Sequence, residues 1–304
     1  KSHPLRMALF TRPSDWPRRP SDCAPTDRPR NILLADPGFF QVEEAQNAHM
    51  TTGDGSLQQV DPAEAHRQWS ALKSAWEDVG FEVEVLPAVP GLADLCFTAN
   101  PTLVIPLPGG EREGWLARML WESRRPEAAL HEAFFQEEGI PIHSIPESAG
   151  FFEGGGDGLP HPGRHLLHCG AGNRTNPAAW EALAEKRPDM DILVYRQPNE
   201  NFYHLDTALA PLDEDTALYV PDAFDEEGRD LVHAAFPKAI PLKLEEAMNF
   251  AGNACCHDGE HVILQAGSPE AESALRERGF VPIPVETGEF LKSGGSVRCL
   301  VQGF

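Results

Sequence analysis

Nine short apolar runs, each closed by Gly, Pro or Asp, constrain this chain more than any other feature: ILLADP, FEVEVLP, TLVIPL, IPIHSIP, HLLHC, DILVY, TALYVP, HVILQA and VPIPVE. Runs of four to six residues with these terminators are strands. Between them lie helical stretches over Pro62 to Val79, Trp115 to Glu138, Pro177 to Lys186, Glu226 to Phe236 and Pro269 to Gly279. In the first, Ala65, Trp69, Leu72, Ala75 and Trp76 recur at three- and four-residue steps and form one apolar stripe. A helix thus returns every 40 to 60 residues with two or three strands in each interval. A doubly wound sheet alternates one strand with one helix. Strand-rich units with one helix each fit a radial α/β arrangement better.

Residues 1–30 differ in texture: Pro and Arg recur in TRPSDWPRRPSDCAPTDRPR with no apolar period, which predicts a flexible leader. Residues 31–304 contain no long Gly, Ser or Pro linker and are expected to form a single domain. No run approaches a membrane span and no apolar signal core opens the chain, so the expected location is the cytoplasm. The net charge of −22 repels nucleic acid; it reads first as a solubility adaptation and second as a mild attraction for a cationic ligand. Six cysteines are too sparse for a disulfide framework, and without a CxxC pair or an HExxH frame neither a metal nor another cofactor is expected.

Several segments can carry chemistry. The end of the chain, SGGSVRCLVQGF, puts Cys299 just past a Gly-Gly turn, where backbone and ligand can approach closely. Alone, such a cysteine is more often a small buried hydrophobe. In NFYHLDTALAPL, His204 and Asp206 lie two apart and face the same way on an extended strand, as in a pocket or on a solvated edge. FFEGGGDG sets Glu153 and Asp157 around three glycines but lacks the lysine and glycine frame of phosphate loops. LADLCFTANPTLV ends an apolar run at Asn100, a residue that before proline also forms turns.

FTAN, FFEGGGDG, GAGNRT, YHLDT and GGSVRC, in this order, resemble the guanidino-group-modifying superfamily of arginine deiminases, dimethylarginine dimethylaminohydrolases, arginine dihydrolases and amidinotransferases. ILLADPGFFQVEEAQNAHM and the segment through FTAN are similar to the arginine dihydrolase branch, so the resemblance runs from about Asn31 to the end. It implies a five-bladed α/β propeller, a small cationic guanidino substrate, and hydrolysis through a covalent S-amidino cysteine. It also implies Cys299 as nucleophile, His204 as proton-transfer group and Glu153 as the turn glutamate. Asp206, Asn100, Asn47 and either Glu153 or Asp157 would meet the substrate, with Arg174 in GNRT and Arg118 in LARML clamping its carboxylate. An amidinotransferase or dimethylaminohydrolase uses the same cysteine chemistry. A non-catalytic binding protein on the same scaffold has no reason to keep Cys, His, Asp and Glu together. A homo-oligomer is compatible with all of these readings.

Overall fold

In the computed structural model, which describes residues 8–304, five small sheets repeat one local plan. Each plan is an antiparallel strand pair followed by a helix that crosses over to a parallel third strand. The first unit pairs Gln302–Gly303 with Asn31–Ala35, and helix Pro62–Asp78 leads to Glu82–Leu86. The second runs through Thr102–Pro106, Arg112–Leu116, helix Glu127–Glu137 and Ile142–Ser144. The third uses Gly158–Pro160, Leu166–Ala171, helix Pro177–Lys186 and Asp191–Arg196. The fourth uses Leu209–Pro211, Ala217–Tyr219, helix Glu226–Ala235 and Ile240–Pro241. In the fifth, Cys255 bridges His261–Gln265, and helix Pro269–Glu277 leads to Val281–Val285.

The first helix shows why these units form. Asp61 caps it, its Oδ1 accepting from the amides of Ala63 and Glu64 at 3.0 and 3.2 Å. Its stripe Ala65, Trp69, Leu72, Ala75 and Trp76 is buried against Ile32 and Leu34 of the neighbouring strand. Each large side chain so buried is worth roughly 1.5–3 kcal/mol, which is what holds an amphipathic helix of this length in place. The apolar runs Ile32–Ala35 and Ile192–Tyr195 are fully covered, as expected for strands with helices or neighbouring sheets on both faces.

Two expectations need correction. The helix expected over Trp115 to Glu138 is split: Trp115 and Leu116 belong to strand Arg112–Leu116, a 3-10 turn follows at Glu122–Arg124, and the helix begins after Pro126. The reason is tertiary, since Ala117 and Arg118 are drawn into backbone bonds with Pro101 and Phe152. Over residues 8–30 the leader does not stand apart from the domain expected to begin at Asn31. Leu9–Phe10 adds a parallel strand beside Ile192 and Leu193, Trp16 and Cys23 are buried, and the Trp16 indole donates to Asp191 at 2.9 Å. The prolines that erase periodicity let this segment lie along the third and fourth units. Residues 1–7 lie outside the described residues. Among the described residues no helix is long and apolar enough to cross a membrane.

One regularity positions the site. In four of the five units, residues singled out in the sequence sit just before the first strand: Asn100 before Thr102, Glu153 before Gly158, His204 and Asp206 before Leu209, and Cys299 before Gln302. The fifth unit has Asn253 in the equivalent place, ahead of Cys255.

Candidate active site

The cysteine segment is fixed by a crowded glycine turn. Gly294 has φ +81°, and a side chain on Gly295 would come within 2.4 Å of the Phe97 ring. The chain can therefore press against Phe97 only with hydrogen at that position. Beyond it, Asn253 organises the loop: its Oδ1 accepts from the amides of Ser296, Arg298 and Cys299 at 3.1, 3.1 and 3.3 Å. Its Nδ2 donates to the Asp206 carbonyl at 2.8 Å and to the Cys299 sulfur at 3.2 Å. Asn253 was not legible in the sequence, because its only signal is a Gly-Asn pair that reads as an ordinary turn.

Cys299 is buried, and its thiol donates to Asp206 Oδ2 at 3.4 Å. Burial and the neighbouring Asp206 push the thiol well above its ordinary value. Burial also pushes Asp206 up to about 7, with Arg298 acting against it. Asp206 Oδ1 is buried without a hydrogen-bond partner. An acidic pair that is costly to ionise, beside an unsatisfied acceptor, is a place where a bound cation would release the thiolate.

His204 and Asp206 do not lie on an extended strand as expected. His204 caps a 3-10 turn over Leu205–Thr207, and Asp206 is turned toward the sulfur. The His204 Nε2–H donates to Glu153 Oε2 at 2.6 Å, so Nδ1 is the basic atom of the neutral ring. Glu153 also accepts from Arg174 Nη1 at 3.0 Å and from the Leu120 amide at 2.9 Å. Burial alone would raise its carboxyl, but Arg174 and His204 hold it below the usual carboxylate range. Asp157 does other work. It accepts from the Thr175 hydroxyl at 2.7 Å and from the Leu205 amide at 3.1 Å, while Thr175 in turn accepts from the Glu153 amide. Asp157 therefore fixes both the glutamate and the histidine turn from behind, and burial pushes it up to about 6.

A cavity of about 270 Å³, mouth included, is lined by Cys299, Asn47, Asp94, Asn100, Arg124 and Arg174 among others. Asn47 caps a turn, accepts from the His49 amide and donates to the Ser293 carbonyl at 3.0 Å. Asn100 accepts from Arg124 at 3.1 Å, and its Nδ2 is buried without a partner. Arg174 lies 4.6 Å over the Tyr203 ring, whose hydroxyl donates to the Gly294 carbonyl at 2.6 Å. Arg118 is not in this cavity. Its guanidinium turns outward to the carbonyl and carboxylate of Glu147, because its backbone is bridged to Phe152. Arg124, six residues on, is the buried arginine, held by both oxygens of Glu127 at 3.0 and 2.8 Å. Nothing in WESRRP marks it in advance. Asp94 is the second missed lining residue. Among the described residues no group of three His, Cys, Asp or Glu side chains is arranged to hold a metal ion.

Chemically, the arrangement combines a thiol and one acid, Asp94, on the wall of a small cavity with Asp206 on the thiol and the Glu153–His204 pair behind the lining residues. It suits covalent attack on an electron-poor carbon carried by a planar cation.

Comparison with known proteins points the same way. The profile of a family described as eukaryotic N,N dimethylarginine dimethylhydrolase matches residues 36–304. An uncharacterized protein of Caenorhabditis elegans is 34% identical over 90% of this chain and 92% of its own length. The N(G),N(G)-dimethylarginine dimethylaminohydrolase of Mycobacterium tuberculosis is 31% identical over 90% of this chain and 85% of its own. Among solved structures, the N-terminal domain of ArgZ, a cyanobacterial arginine dihydrolase bound to substrate, superposes with a TM-score of 0.82. It is 29% identical and covers 90% of this chain and 97% of that domain. Matched along nearly nine-tenths of its length, the chain belongs to the dimethylarginine dimethylaminohydrolase family of guanidino-group-modifying proteins.

Proposed function

We propose that this protein hydrolyses a carbon–nitrogen bond in the guanidino group of arginine or a close derivative, with Cys299 as nucleophile. The observation that carries the reading is the buried thiol of Cys299 on Asp206, in a unit-end cluster with the Glu153–His204 pair. A guanidinium carbon is a poor electrophile, so it must be held still beside a soft nucleophile. Asp206, whose Oδ1 lacks a partner, and Asp94 in the cavity wall are the acceptors that a guanidinium would satisfy.

As the cation takes the place of the thiol on Asp206, the thiol proton passes to the free Nδ1 of His204, and the thiolate adds to the guanidinium carbon. The carbon–nitrogen bond breaks as His204 gives a proton to the departing amine, which leaves an S-amidino enzyme. Water then loses a proton to His204, adds to the same carbon, and the carbon–sulfur bond breaks to return the thiolate and a ureido product. Arg174 is the cation lining the cavity that a substrate carboxylate would meet. Asn100, with its free Nδ2, faces the same space. A variant of the related ArgZ domain has been solved covalently bound to a reaction intermediate, which agrees with a covalent route.

The five repeated units, each presenting its pre-strand residues to one site, support closure into a five-bladed propeller around the active-site channel. The test is product analysis by mass spectrometry after separate incubation with arginine, citrulline, dimethylarginine and agmatine. A ureido product, or ornithine from two successive hydrolyses, is expected from at least one of the first three. Full turnover by Cys299→Ser would remove the proposed nucleophile.

A further inference from the structure

A second cavity, with about 790 Å³ of empty space including its mouth, is lined by the first strands of all five units, from Leu103 and Leu159 through Leu209 and Cys255 to Gln302. It is mostly apolar. It also holds three arginines, Arg28, Arg112 and Arg298, and the one carboxylate among its lining residues is Asp27, which lies beside Arg30. In a chain of 47 acids and 25 bases this is a local inversion of charge.

The arginines are held, but not neutralised. Arg28 donates to the Leu212 carbonyl at 3.2 Å, Arg112 to the Arg28 carbonyl at 2.7 Å, and Arg298 to the Gly155 carbonyl at 3.3 Å. None of the three forms an ion pair with a carboxylate among the described residues, and the Arg28 and Arg112 forks keep unused N–H groups. Gln302 supplies a second kind of signal: it is 3% exposed, lines the cavity, and its Oε1 has no hydrogen-bond partner. Half-buried Arg28 and Arg112, outside any ion pair, leave N–H groups for an anionic ligand to complete, while the buried Gln302 acceptor needs a donor such as solvent. Ligand sites are typically apolar concavities of this size with a few convergent polar groups.

We infer that this cavity is a second binding site for a small carboxylate with an apolar body, its head on Arg28 and Arg112 and its hydrocarbon against Leu103, Leu159 and Leu209. The pairing of a guanidinium fork with a carboxylate supplies orientation, and the leucines supply burial. The inference does not depend on the reaction proposed above, because none of these residues lines the cavity of Cys299.

The test is calorimetric titration of the full chain with 4-methylpentanoate, with 4-methylpentan-1-ol as the same body without charge and inorganic phosphate as charge without the body. Saturable binding of the carboxylate, at least about tenfold tighter than either control and weakened at least about tenfold by Arg112→Met, is expected. Arg28→Met is the second variant, and thermal melts verify that both fold. Three outcomes overturn the inference: no saturable heat up to about 10 mM, phosphate or the alcohol matching the carboxylate, or loss of binding in Arg174→Met while Arg28→Met and Arg112→Met bind normally. The last would place the ligand in the cysteine cavity instead.

Discussion

Replacing Asn253 by Asp is the most incisive single perturbation of this site, because the two sides of the amide do different jobs. Oδ1 holds three amides of the cysteine loop, and Asp keeps an oxygen there. Nδ2 donates to Cys299 sulfur at 3.2 Å and to the Asp206 carbonyl at 2.8 Å, and Asp replaces that donor with an acceptor facing two electron-rich atoms. A hydrogen bond to a charged group is worth about 1.5–3 kcal/mol, or roughly one to two pKa units at 1.36 kcal/mol per unit. The thiol of Cys299, already raised by burial, should therefore rise further by that amount, and turnover at fixed pH should fall about 10- to 100-fold. The assay is the pH dependence of Cys299 alkylation by iodoacetamide, followed by intact mass, beside kcat. Asn253→Ala also strips the three amides of their acceptor, at about 1–3 kcal/mol for each buried group left unpaired. It should lower the melting temperature by several degrees. An Asn253→Asp enzyme with an unshifted alkylation profile would refute the idea that this amide supports the thiolate.

Other expectations follow from particular contacts. Arg124→Met leaves Glu127 buried without its partner and should cost about 3–5 kcal/mol, read as a lowered denaturant midpoint, whereas Arg118→Met should stay within about 0.5 kcal/mol. Equal effects of the two would contradict the assignment of Arg124 as the buried arginine. Gly295→Ala drives a methyl into Phe97 and should cost about 1–3 kcal/mol and displace Cys299, with partial rescue by Phe97→Leu. A further test concerns the chain in which Tyr195 donates to His168, His168 to His161, and His161 to the Glu214 carbonyl. Burial lowers His161 to about 4, so the unfolded chain takes up its proton first as pH falls from about 6.5. The stabilisation from His161 is thus complete above pH 6.5 and lost toward pH 4. The stability gap between wild type and His161→Asn should shrink across that window by on the order of 3 kcal/mol in urea titrations. A constant gap would show that His161 is not held neutral.

Much of this molecule is written locally. The nine apolar runs became strands because alternation or continuous apolarity over four to six residues is a short-range property, and the stripe of Trp69, Leu72 and Trp76 became a helix for the same reason. First strands such as Gly158–Pro160, Leu209–Pro211 and Gln302–Gly303 are two or three residues long, too short to carry a period. Order along the chain also placed Cys299, His204, Glu153 and Asn100 in one family pattern.

Tertiary structure decided what each polar side chain does. Asp157 became a brace and Glu153 the partner of His204, although the glycine turn contains both acids and gives no local reason to choose. Arg124 went inward and Arg118 outward because backbone pairing with Phe152 turned the intervening segment. The proline- and arginine-rich opening segment found its place only against the third and fourth units, through Trp16 and the strand at Leu9. Asn253 acquired its role because residues 46 positions away were brought within 3.3 Å. Burial by distant segments sets the cost of leaving a charge or donor unpaired, and no local stretch of sequence contains that information.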